Sequence, residues 1–223
     1  MVRRTKEEAQ ETRHLLLDAA EHVFNEKGVS RTSLSEIAQA AGVTRGAIYW
    51  HFKNKSDLFD AMMERVTLPL ENMVQKSGDA ALEDPMFHLR ATAVNVLKRT
   101  ATDAQMRRVF DIVCHKCEYV DDMLPLKERH LKSRAQCLAQ VELGIKNAIK
   151  RGHLPARTNA RRAAIGMHAL IDGLIANWLL DPEYFDLARE AGHMIDIYLN
   201  GLDAKPTGLA APKRKLRKVS TPP

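Results

Sequence analysis

The residues best suited to chemistry lie between Thr44 and Lys55. This stretch holds an arginine, a glycine, two large rings, a histidine and two lysines, with no acid from Thr44 to Ser56. Read as a short helix, it turns Ala47 and Ile48 inward with Val43 and Ile37. Thr44, Arg45, Gly46, Tyr49, Trp50 and His51 are left on the outer face. Such a face is odd for water and suited to double-stranded DNA. Arg45 can donate two bonds to a guanine edge. Gly46 lets backbone come close to a groove. Tyr49 and Trp50 offer apolar faces to sugars and thymine methyl groups, and polar tips to phosphate oxygens. His51, Lys53 and Lys55 can hold the phosphate backbone, which positions without specifying. Thr32 and Ser33, with the free N–H groups of the helix they open, form a second anion site. A buried ring pair in an ordinary helical hairpin explains Tyr49 or Trp50, but not Arg45, Gly46 and the basic run together.

Two other clusters could do chemistry. Cys114-His115-Lys116-Cys117 supplies half a zinc site, with His130 as an extra ligand, but no second close Cys/His pair completes it. A structural, redox-inert role is the favoured reading, and no metal or cofactor is expected. His168 and Asp172 stand four apart on one apolar helix and so share a face. An acid in such surroundings needs a partner if buried. It is either an internal hydrogen bond to a neighbouring helix or a polar anchor in a ligand pocket. There is no Gly-rich phosphate loop, no nucleophile–base–acid signature and no catalytic carboxylate pair, so catalytic residues are expected to be absent.

Helices must position these groups. Leu16, Ala20, Val23 and Phe24 follow helical spacing, and Gly28 ends that helix. Ser33 and Glu36 make a capping box for a second helix. Gly42-Val43 turns into a third helix capped by Thr44, giving helix-turn-helix logic. Asn54 caps a fourth, with Pro69 expected to bend it. Further helices are expected from Asp84-Pro85, over 103–116, 122–151, 159–179 and 183–203. The 159–179 helix is apolar on more than one face, so both its own core and a second copy of the chain are expected to cover it. No strand or internal repeat is recognised, and the fold class is all-α.

Bulk properties agree. The chain has 223 residues, 45% hydrophobic and 28% charged, as expected of a folded soluble protein. No uninterrupted apolar run approaches ~20 residues, so no membrane association is expected. The three cysteines and the polar N-terminus point to a reducing cytoplasm rather than secretion. The net charge of +6 misleads if read whole, because the tail over 205–223 alone carries +6 and the rest sums to zero. That tail lacks periodicity and is expected to be disordered. A nucleic-acid partner must therefore rest on local placement of charge.

At Gly42-Val43-Thr44-Arg45-Gly46-Ala47-Ile48-Tyr49-Trp50-His51-Phe52-Lys53-Asn54-Lys55 the sequence resembles the TetR family, and the likeness extends from Arg3 to about Phe59. His115-Lys116-Cys117-Glu118 and Asp172-Gly173-Leu174-Ile175 with Trp178 resemble its AcrR/TtgR-type branch, whose members repress multidrug efflux pump genes. The resemblance implies a nine-helix fold, with a helix-turn-helix domain over 1–55 and a ligand-binding and dimerisation domain over 56–204. It implies a homodimer on a palindromic DNA operator, released by a small hydrophobic or aromatic effector. It also raises the pocket reading of Asp172 to parity. The expected pocket residues are Val66, Leu70, Val96, Phe110, Cys137, Val141, His168, Asp172 and Ile175.

Overall fold

The structure is a computed structural model that describes residues 6–119 and 123–203. Among these residues the chain forms only helices: α1 Lys6–Lys27, α2 Leu34–Ala40, α3 Arg45–His51, α4 Lys55–Ser77, α5 Pro85–Thr102, α6 Ala104–His115, α7 Leu124–Lys150, α8 Ala160–Leu180 and α9 Leu187–Gly201. The tail over 205–223 lies outside the described residues.

The local signals act as their chemistry requires. Gly28 and Gly42 sit at φ +82° and +66°, a region costly for any residue with a Cβ, and each ends a helix. Ser33 and Glu36 form both halves of the capping box. Thr44, Asn54, Asp84, Asp103, Asn159 and Asp186 each accept a backbone N–H at the start of a helix. α4 continues through Pro69. Proline has no N–H there, so the Arg65 carbonyl lacks its helical donor. The last helix starts at Leu187 rather than at 183, because Asp186 supplies the cap through Arg189 N.

Two apolar cores organise the chain. The first joins Leu16, Phe24, Ile37, Ile48 and Phe52 of the N-terminal helices to Phe59 and Met62 of α4 and to Met106, Val109 and Ile112 of α6. Phe24 and Phe59 pack with ring centroids 5.9 Å apart. The second gathers Leu89 and Leu97 of α5, Ile145 of α7, Trp178 of α8 and Ile195 of α9. Burying each such large side chain contributes roughly 1.5–3 kcal/mol. Val96 and Phe110 pack against both cores and so mark their seam.

α8 is long and apolar enough to cross a membrane by length and composition, with mean hydropathy 1.4, and 28% of that window is buried within the chain. Arg161, Arg162, His168 and Asp172 interrupt its apolar sequence. α8 packs against α5, α6, α7 and α9. Its remaining apolar surface forms, with α9, a depression of about 840 Å³ that includes Leu170, Leu174, Leu180, Tyr184 and Met194.

Candidate nucleic-acid interface and effector cavity

α3 is held by few contacts, and these fix its outer face. Ile48 is fully buried beneath it, and Phe52 closes it under the Arg13 guanidinium, 5.3 Å from the ring centroid. Thr44 Oγ1 accepts from Ala47 N at 3.3 Å. Outward lie Arg45, Gly46, Tyr49 at 49% exposure and Trp50 at 73%. Arg45 stands 5.8 Å from the Tyr49 ring centroid, so the cation and the ring already share one face. Trp50 meets the His51 ring edge-on at 4.6 Å. A Cβ on Gly46 would meet only Thr44 Oγ1, at 4.0 Å. The chain itself therefore leaves room there, and a glycine serves whatever approaches from outside.

The start of α2 behaves differently from the expectation. Thr32 is buried, and its hydroxyl donates to Gly28 O at 2.8 Å. Ser33 N and Ser33 Oγ both donate to Glu36 Oε2, at 2.8 and 2.9 Å. The backbone hydrogen bond from Ser33, and then Lys27, hold the Glu36 carboxyl down at about 2. Glu36 thus takes the Ser33 N–H, and the Thr32 side chain turns inward to brace the α1–α2 turn. Lys55 also reaches inward, donating to Ser30 O at 3.4 Å, while the Lys53 side chain is exposed.

The expected pocket residues are divided between the two cores. Val66 and Leu70 on α4 belong to the first core, and Ile175 on α8 belongs to the second, with Val141 of α7 packed against it. Val96 and Phe110 touch both. Asp172 is 63% exposed, and it pairs with His168 on its own helix at 2.8 Å. Its charge nevertheless reaches inward. Burial, then Asp172, pushes the thiols of Cys114 and Cys137 up to about 11. Burial lowers the pKa of His130, which Asp172 opposes. Tyr119 Oη lies 3.1 Å from His130 Nδ1. Cys114 and His130 are the residues that the spacing offered as metal ligands. Thiols held protonated are poor metal ligands, and no group of three His, Cys, Asp or Glu side chains among the described residues could hold a metal ion.

Residues 16–62 match the family described as bacterial regulatory proteins, tetR family. Residues 84–204 match the C-terminal region of MAATS-type transcriptional repressors. The HTH-type transcriptional regulator TtgR of Pseudomonas putida is 41% identical over 206 residues, 92% of this chain and 98% of that one. The chain belongs to the TetR family of transcriptional regulators. It is a regulator and not an enzyme. Among solved structures, NalD, the secondary repressor of the MexAB-OprM multidrug efflux pump in Pseudomonas aeruginosa, superimposes with a TM-score of 0.79 at 36% identity, covering 87% of this chain and 97% of that one. The SmeT–triclosan complex superimposes with a TM-score of 0.80 at 31% identity, covering 88% and 93%. SmeT is the repressor of the Stenotrophomonas maltophilia SmeDEF pump.

In this regulator one buried acid ties the head to the body. Glu21 of α1 is 1% exposed and is met by Arg65 of α4 at 3.5 Å, Arg108 of α6 at 3.3 Å and Gln105 Nε2 at 2.7 Å. Arg65 also pairs with Asp18 at 2.7 Å. Burial raises the Glu21 pKa, and Gln105, Arg65 and Arg108 oppose that shift. A second tie comes from the end of α6. Lys116 O accepts from Val29 N at 2.9 Å, and Lys116 Nζ donates to Asn25 O at 2.7 Å. The sequence reading missed both ties. The available signal was Glu21 itself, one turn beyond Leu17 and one turn before Phe24 on the buried stripe of α1.

Proposed function

We propose that this regulator represses a multidrug efflux operon by binding a palindromic operator as a homodimer, and that an apolar or aromatic compound releases it. The observation that carries this reading is the outer face of α3, where Arg45, Tyr49 and Trp50 stand exposed on a stretch with no acid from Thr44 to Ser56. The repressors NalD and SmeT, of the same fold, support the choice of target genes. The triclosan bound by SmeT supports an aromatic effector. DNA as partner makes the cytoplasm the working compartment.

In this mechanism Arg45 reads a base edge, Tyr49 and Trp50 pack on the sugar and thymine surface, and Lys53 and His51 hold phosphates. Two copies joined through α8 and α9 offer two reading helices to half-sites roughly 34–36 Å apart. The effector occupies the seam lined by Val66, Leu70, Val96, Phe110, Cys137, Val141 and Ile175, with Asp172 and His168 as its polar rim. Filling the seam displaces α4 and α6, which hold Glu21 through Arg65 and Arg108, so α1 and the reading head move with them. Linkage requires the operator to weaken effector binding by the same factor. A mobility shift on the promoter beside its own gene, run with and without a panel of antibiotics and plant aromatics, tests the reading. Arg45→Ala and Tyr49→Ala are each expected to move the shifted band to higher protein concentration. Binding unchanged in both variants would remove α3 from the account.

A further inference from the structure

A cavity of about 370 Å³ lies away from the seam, between α1, α6 and α8, and its wall includes Asn25, Arg107, Arg108, Asp111, Leu179 and Pro182. The volume falls within the range of small-molecule sites. Its charges do not cancel. Arg108 is paired with Glu21 at 3.3 Å. Asp111 is paired with Lys116 at 2.8 Å and His115 at 2.9 Å. Arg107 has no carboxylate partner among the described residues. It is fixed instead by neutral groups: it donates to Ala101 O at 2.7 Å and lies 4.9 Å from the Trp178 ring centroid.

A guanidinium held at two points, with donors left over and no counter-charge, is organised for a carboxylate. Asn25 adds to this. Its Oδ1 accepts from Lys116 Nζ at 2.8 Å, which fixes the amide and leaves its NH2 as a donor in the cavity wall. Leu179 and Pro182 supply an apolar wall for a flat or short hydrocarbon body. We infer that this cavity binds a small organic carboxylate, with Arg107 as the charged anchor and Asn25 as a second donor, at a site separate from the seam.

Isothermal titration of the full-length chain with benzoate and with benzamide, at constant ionic strength, tests the inference. Benzoate is expected to bind saturably, one per chain, with benzamide weaker by about tenfold or more, since hydrogen bonds to charged groups are the stronger kind. Arg107→Gln is expected to weaken benzoate by about the same factor. Asn25→Asp leaves the packing of Arg107 on Trp178 untouched and puts a carboxylate in the wall, so it must weaken benzoate as well, even if Arg107→Gln fails to fold. The inference is overturned if benzoate does not saturate, if benzamide binds equally well, or if a folded variant of either kind binds benzoate like the parent chain.

Discussion

Trp50 on α3 and Ile197 on α9 are exposed to the same degree, 73% and 74%. Exposure therefore says nothing about what each surface meets. The neighbours do. Trp50 stands with Arg45, Tyr49, His51 and Lys53 and no acid, which suits a polyanion that offers sugar and base faces between its charges. Ile197 lies one turn from Met194, at the rim of a depression that also holds Leu180 at 70% and Tyr184 at 79% exposure. Apolar surface of that extent suits a second apolar surface, and under a two-fold axis it can pair with its own copy. In the proposed mechanism one face serves sequence reading and the other serves symmetry, and the first is useless without the second.

The comparison breaks hardest at α9. Leu180→Asp combined with Ile197→Asp is expected to give monomers in analytical ultracentrifugation. Operator affinity should then fall by roughly a hundredfold or more, because tethering two heads typically adds that much. The α3 face is untouched by these changes, so a dimer that survived them would separate the depression from assembly. Arg45→Ala is the complementary case. It is expected to cost about 1–3 kcal/mol of operator binding, with sedimentation unchanged. Lys53→Ala should weaken all sequences alike and lower the salt slope by about 1.

How much of this was legible depends on how local each signal was. The α3 face is written in twelve consecutive residues, and helical spacing alone sorts them into inside and outside. The capping residues Ser33, Thr44, Asn54 and Asp84 are equally local, and each starts a helix where the sequence placed it. Thr32 failed because its partner, Gly28 O, lies across a turn whose geometry no spacing rule gives. Asp172 is a different case. Its partner is His168, one turn away on α8, rather than a group on a neighbouring helix, and its side chain is 63% exposed. Glu21 was missed because its partners come from α4 and α6, 44 and 87 positions away for Arg65 and Arg108.

Thr32→Val sharpens the correction at the edge of the reading head. Losing the hydrogen bond to Gly28 O is expected to cost about 1 kcal/mol of stability in chemical denaturation. Operator affinity of the folded protein should stay unchanged, since the hydroxyl faces inward. A loss of affinity without a loss of stability would return Thr32 to the interface.

The smallest effect concerns Glu36, which decides whether the capping box of α2 is closed in solution. Its carboxyl sits at about 2 against an ordinary 4.5, held there first by the Ser33 N–H and then by Lys27. A depressed carboxylate stabilises the fold above its unfolded value, and that contribution is lost as pH falls from about 4.5 towards about 2. Carbon-detected NMR titration of the side-chain carboxyls should therefore find Glu36 still ionised at pH 3, and Glu36→Gln should remove its share of the acid sensitivity. If Glu36 instead titrated near 4.5, the capping box would be open in solution. The Ser33 N–H would then be released from Glu36, and the start of α2 would be capped by the Ser33 hydroxyl on Glu36 N alone.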